Sequence, residues 1–300
     1  MKRREFVIGT MAAASGAKAV SGLWSLVSGP HSMVSRLAPA KLARIGLELY
    51  SIRNEMKADP ERTLAEVKSM GYNDVELLWS WDNFGRTPQQ VKDTLDHEGL
   101  HAPSAHIAPE ALLKDWQKSV DTARFLGHDY LIVPSLPAET NRSLDAWHEW
   151  ADRFNNAGQI ANKSGLWLAF HNEPEHMKPI NGQVPLDLFI QWTDPVVVRH
   201  QLDVGNMMLG GGDPMKYLAK YRDRYWSFHL KDVTRDHKKD TELGTGVFDF
   251  KKFLAAIPNL DRKPCYVEQE SPANPLESAR ANYTYLQALE FQGSLIPTSG

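Results

Sequence analysis

The sequence predicts a single (β/α)8 TIM barrel, and three observations carry that expectation. Short apolar runs and amphipathic stretches alternate eight times between residues 41 and 292. Several amphipathic stretches open on Asp-Pro or Thr-Pro and stop at Gly, the start and stop chemistry of helices. Histidines and carboxylates collect at the ends of the apolar runs, where a barrel keeps its site. A doubly wound sheet shares the alternation but wants a Gly-rich turn after a strand. Here Gly244-Thr245-Gly246 has Asp249 where the third glycine belongs. A Gly-x-Ser-x-Gly nucleophile elbow is absent as well.

The elements follow in order. Residues 45–52 form the first predicted strand. Asp59-Pro60 then caps a helix that runs to Met70 and stops at Gly71. Residues 74–79 are the second strand, and Thr87-Pro88 starts a helix stopped by Gly99. The third strand, 101–107, leads into a helix over 111–126. The fourth, 130–133, leads into a long one over 143–163. The second half repeats the rhythm. Strands are expected at 166–171, 198–204, 226–230 and 264–268, and helices at 185–192, 213–222, 249–257 and 275–289.

Composition narrows the function classes. The chain has 300 residues, 42% hydrophobic and 24% charged, too apolar for a disordered chain. Its one cysteine, Cys265, excludes an intramolecular disulfide framework and a Cys-based zinc cluster. The opening Lys2-Arg3-Arg4-Glu5-Phe6-Val7-Ile8 precedes a small, apolar stretch, as in a twin-arginine export signal. Small-x-small cleavage sites are readable at Ala17-Lys18-Ala19 and Ala38-Pro39-Ala40. Residues 1–40 are therefore expected to be signal and linker, 41–292 the barrel and 293–300 a tail, with a periplasmic or otherwise exported product. The twin-arginine machinery is then the expected export partner. No later stretch has the roughly 20 apolar residues of a membrane span. Lys2, Arg3, Arg4, Lys18 and Arg36 against Glu5 give the leader a net +4, which moves the rest from -3 to -7. That balance argues against nucleic acid as a partner.

The expected strand ends carry Glu48, Glu76, His106, His171-Asn172-Glu173, Asp203, His229 with Lys231-Asp232, and Glu268-Gln269-Glu270. Alternation places His171 with Glu173, His229 with Lys231, and Glu268 with Glu270 on common faces, above apolar runs expected to fill the barrel. Four neighbouring strands that each end in an imidazole or carboxylate need pairing or a metal, because such groups resist desolvation. Oxygen and nitrogen donors without thiolate suit one divalent ion, Mn, Mg, Co, Fe or Zn.

Four segments resemble the sugar phosphate isomerase/epimerase family of the xylose isomerase-like TIM-barrel superfamily. They are Gln201-Leu202-Asp203-Val204-Gly205-Asn206, Ser227-Phe228-His229-Leu230-Lys231-Asp232, Glu242 to Phe250, and Tyr266-Val267-Glu268-Gln269-Glu270. The resemblance implies a divalent ion on Asp203, His229 and Glu268. The first ligand position, usually Glu, holds His171, with Glu173 two residues on. It further implies proton abstraction beside a carbonyl through a metal-stabilised enediolate. Glu268, Glu173 and Lys231 are the expected catalytic residues. His106, Glu48, Glu76 and Trp79 are expected to bind a small carbohydrate, with Trp81 as a further stacking surface. Lys231 could instead pair with Asp232, and His106 could make a core hydrogen bond. The implied function is an exported sugar isomerase or epimerase. A keto-sugar or 3-keto-glycoside lyase or hydratase on the same site is the alternative, and a non-catalytic carbohydrate-binding barrel the second alternative. The superfamily's zinc endonucleases are disfavoured by the acidic charge.

Overall fold

The computed structural model describes residues 39–292. The arginine pair and the Ala17-Lys18-Ala19 site lie outside the described residues. Eight parallel strands close a barrel in chain order: Gly46–Glu48, Asp74–Leu78, His101–His106, Tyr130–Val133, Trp167–His171, Val198–Asp203, Tyr225–Leu230 and Cys265–Val267. The eighth strand pairs with both the first and the seventh, so the sheet has no open edge.

Helices cover the outside, and their ends follow the local chemistry. Asp59 accepts from the Arg62 N–H, with Pro60 at the first position of Pro60–Met70, and Gly71 closes that helix at φ 111°. Thr87 and Gln90 form a reciprocal capping box on Pro88–Glu98. Ser143 caps Leu144–Lys163, which buries Trp147, Trp150 and Phe154 against the barrel. The helix expected over 111–126 is split. A 3-10 turn, Pro109–Leu112, precedes Trp116–Leu126, and Asp115 between them is left-handed at φ 51°. The first strand is shorter than expected, because Leu49–Ile52 tightens into a 3-10 turn. A short helix, Val204–Leu209, starts directly from the sixth strand with Asp203 as its cap.

Pro39–Ala40 pairs antiparallel with Phe291–Gln292. No helix among the described residues is long and apolar enough to cross a membrane.

The barrel interior departs from the apolar filling expected. Its middle carries a polar layer: Glu76, Ser104, Gln201, Ser227 and Tyr266. Ser104 Oγ donates to Glu76 (2.5 Å) and shares a hydrogen bond with Tyr266 Oη (2.7 Å). Gln201 Nε2 donates to both Glu76 oxygens (3.0 and 3.2 Å) and to Ser227 Oγ (2.9 Å). The large apolar side chains pack outside, between strands and helices, as with Trp147, Phe154, Phe170 and Phe189.

Candidate metal centre and active site

The site grows from neighbouring strands in register. Asp203 pairs with His229 and His171 with Gln201, so imidazole and carboxylate arrive at one level. His171, Asp203, His229 and Glu268 are all buried, and one donor atom from each lies within 4.8 Å of the others. His171 Nε2 and Asp203 Oδ2 are 3.6 Å apart; His171 Nε2 has no hydrogen-bond partner, and Asp203 Oδ2 is ion-paired with Lys231 Nζ at 3.0 Å. Burial holds His171 below the usual histidine range, so its imidazole is neutral and free to ligate. An unpartnered imidazole nitrogen turned toward a carboxylate, beside a second His and a second carboxylate, fits a divalent ion with O/N preference.

The other predicted residues take definite places. Lys231 is fully buried, with Nζ 3.0 Å from Asp203, 3.1 Å from Glu268 and 2.7 Å from Glu270. Burial opposes its charge, but the carboxylates around it outweigh that and raise it well above the usual lysine range. It does not pair with Asp232. That carboxylate instead accepts from the N–H groups of Val233, Gly244, Gly246, Val247 and Phe248. This cradle accounts for the Glu242 to Phe250 segment. Gly244 sits at φ 81°, and a Cβ on Gly246 would fall on the Asp232 carboxylate.

Glu268 and Glu173 both line a cavity of about 470 Å³ above the barrel, together with Glu48, His106, His171 and Glu270. Their protonation diverges. Burial works against Glu268's charge, yet Lys231 and His229 hold its carboxyl well below the usual range. Glu173 keeps a quarter of its side chain exposed, and desolvation by the cavity wall, with Glu268 and Glu270 nearby, raises it well above that range. Asn206 Nδ2 donates to Glu173 Oε2 at 2.9 Å, and Glu173 stands outside the four-donor cluster that His171 joins.

Two expected substrate contacts need correction. Glu76 lies a layer beneath the cavity, fully buried and bonded to His229 Nε2 at 2.5 Å, so a substrate cannot reach it. Trp79 packs at a tilt against the His128 ring, 5.5 Å between centroids, and does not line the cavity. Trp81, two residues on, does line it and packs edge-on against Tyr50 at 5.6 Å. His106 lines the cavity and also bonds Gln201 Oε1 (3.0 Å). Sequence reasoning missed Gln201, Ser104 and Asn206. Gln201 and Ser104 stand two residues before Asp203 and His106, so strand alternation held the signal.

Burial opposes a charge on His229 as well, but Glu76 and Glu268 outweigh it and hold the ring up to about 10. An ion ligated there would have to displace that proton.

Comparison with known proteins agrees with this architecture. Inosose dehydratase of Bacillus cereus (strain AH820) is 25% identical over 253 residues, covering 76% of this chain and 81% of its own. A solved sugar phosphate isomerase/epimerase from Parabacteroides distasonis ATCC 8503 superposes with a TM-score of 0.72 at 25% identity. It covers 83% of this chain and 97% of that one. A protein solved with a bound zinc atom shares the fold at a TM-score of 0.65 and 12% identity, over 80% of this chain and 95% of that one. The xylose isomerase-like TIM barrel family matches residues 64–289, and the chain belongs to that family.

Proposed function

We propose that this protein is a divalent-metal-dependent lyase that removes water from a polyhydroxy ketone. One observation carries the choice of reaction: the chain resembles inosose dehydratases along 76% of its length. The cavity supplies the acid–base pair, since Glu268 and Glu173 both line it, Glu268 held toward the ionised form by Lys231 and His229 and Glu173 raised toward the neutral acid by desolvation.

An ion on His171, Asp203, His229 and Glu268 would polarise the substrate's carbonyl oxygen and neighbouring hydroxyl. Glu268 takes the proton from the carbon next to the carbonyl. The freed electron pair forms the carbon–carbon double bond as the β carbon–oxygen bond breaks. Glu173 gives its proton to the departing hydroxyl, which leaves as water. Lys231 keeps Glu268 ionised and, through Glu270, fixes the cavity's far wall. Tyr50 and Trp81 offer an apolar face for the substrate's ring.

The second reading is an isomerase or epimerase using the same base and acid, favoured by the 25% identity to the Parabacteroides structure. Proton NMR in deuterium oxide, with a keto-inositol and with free keto-sugars, separates them. Dehydration yields an unsaturated ketone and released water. Isomerisation yields a deuterated product of unchanged formula, which would overturn the lyase reading. Silence from the metal-loaded protein would favour the carbohydrate-binding barrel.

We also propose twin-arginine export, on the strength of Arg3-Arg4 and the apolar stretch behind them. Arg3→Lys with Arg4→Lys should leave the folded protein in the cytoplasm, and unimpaired export would refute this.

A further inference from the structure

Asn206 stands between the two halves of the proposed chemistry. Its side chain is buried and does not line the cavity, yet each end of the amide holds one working residue. Oδ1 accepts from Lys231 Nζ at 2.8 Å, and Nδ2 donates to Glu173 Oε2 at 2.9 Å. The amide cannot be turned the other way. A lysine ammonium offers only donors, so the oxygen must face Lys231 and the NH₂ group is left for Glu173. The reversed amide would set donor against donor beside a fully buried ammonium.

The surrounding backbone supports this bridge. Asn206 is the third residue of Val204–Leu209, and its own N–H donates to Asp203 Oδ1 at 2.8 Å. A Cβ on Gly205 would fall 2.5–2.7 Å from the Lys231 side chain, so glycine there lets the lysine lie against the helix. Asn172 ties the neighbouring strand ends together. Its Oδ1 accepts from the Asp203 N–H and its Nδ2 donates to the Asp203 carbonyl, both at 3.0 Å. Glu173 follows in the chain, with its N–H on His176 Nδ1 at 2.9 Å. Its backbone is thus fixed, and Asn206 fixes its carboxyl. With Oε2 held by Asn206, Oε1 is the oxygen left for substrate, 3.7 Å from His171 Nδ1.

Resting on the lyase reading, we propose that Asn206 is a positioning residue: it fixes which oxygen of Glu173 meets the leaving hydroxyl and ties that carboxyl to Lys231 in one frame. A proton passes from Glu173 Oε1 to the β-hydroxyl, the carbon–oxygen electron pair leaves with the oxygen, and water departs. A carboxyl set loose from Asn206 would present that proton at the wrong angle. The base side keeps its own supports, because Lys231 Nζ still lies 3.1 Å from Glu268 and 2.7 Å from Glu270.

The test is Asn206→Ala, loaded with Mn²⁺ and assayed on a keto-inositol and on its analogue with fluorine in place of the β-hydroxyl. Fluoride leaves without a proton, so only the first substrate needs Glu173 well aimed. Alanine keeps the backbone N–H on Asp203, so metal content by elemental analysis should match the wild type. For the hydroxyl substrate kcat should fall about 10²-fold with KM little moved, the loss a misaimed group causes, while kcat for the fluoro analogue falls less than about tenfold. An equal loss on both substrates would mean a merely structural role and overturns the assignment, as does an unchanged kcat on the hydroxyl substrate. If the alanine variant melts as an unfolded chain or loses its metal, Asn206→Asp takes its place under the same criteria, since it keeps an oxygen for Lys231 and loses the donor to Glu173. Failure of the lyase reading looks different: the wild type then releases no water, and the role of Asn206 falls with it.

Discussion

Asp232→Asn tests how the site is strapped together. The carboxylate takes three N–H groups on Oδ1, from Val233 (2.9 Å), Val247 (3.0 Å) and Phe248 (3.1 Å). Oδ2 takes two more, from Gly244 (2.9 Å) and Gly246 (3.1 Å). An asparagine would keep its oxygen at the three-donor end. Its NH₂ would then face two N–H groups, donor against donor. An unmet buried donor costs about 1–3 kcal/mol, and this loop is only partly buried, so the lower half applies and the total is about 2–4 kcal/mol. At about 2–4 °C per kcal/mol for a domain of this size, the melting temperature should fall by roughly 5–15 °C. The loosening should be local first. Hydrogen exchange over 240–248 should accelerate ahead of the rest, since these amides lose their common acceptor. Catalysis should suffer with it, because Asp240 in the same strap accepts the Glu270 N–H at 2.6 Å and Glu270 anchors Lys231. Calorimetry and hydrogen exchange measure both. A variant that melts within 1 °C of wild type, with unchanged exchange over 240–248, would refute the strap.

Asp203→Asn keeps the oxygen that accepts the Asn206 N–H (2.8 Å), so the helix cap survives while the charge is lost. Metal content should fall, and some stability with it, because the new Nδ2 would face the Lys231 ammonium that now lies 3.0 Å from Oδ2; full occupancy by elemental analysis of the folded variant would rule Asp203 out as a ligand. Glu268→Gln should lower kcat by roughly 10²–10⁴-fold in a preparation of matched metal content, and a smaller loss would remove Glu268 as the base. Acid should destabilise the fold through buried neutral histidines. His128 and His176 are pushed down by burial to about 4 and about 3, against an unfolded value near 6.5. Their contribution is therefore complete above pH 6.5 and is lost as pH falls toward 4, where the unfolded chain binds two protons that the fold excludes. The slope from this pair is about 2.7 kcal/mol per pH unit, and His176→Gln should flatten it by about half of that. Equal slopes in denaturant titrations of the two proteins would contradict the assignment.

The sequence by itself determined the rhythm of the fold. Hydrophobic periodicity and turn chemistry are local properties, so Asp59-Pro60, Thr87, Ser143 and Gly71 mark the ends of helices they actually cap. Left-handed Asp115 and the direct passage from Asp203 into a helix were not legible, since tertiary packing selects those backbone states. The strand-end histidines and carboxylates were also readable, because alternation places every second residue inward. Depth was not. Glu48 and Glu76 look equivalent as strand residues and pair directly in register. Yet strand stagger leaves Glu48 on the cavity and locks Glu76 beneath it under His229. The sequence named Lys231 but not its partners. Asp232 is its chain neighbour, but its carboxylate turns to the 244–248 backbone, and the ammonium meets Asp203, Glu268 and Glu270 from the two adjacent strand ends. Which carboxylate is charged, which is neutral and which imidazole can ligate depend on desolvation and on neighbours far apart in the chain. Only the closed barrel decides them.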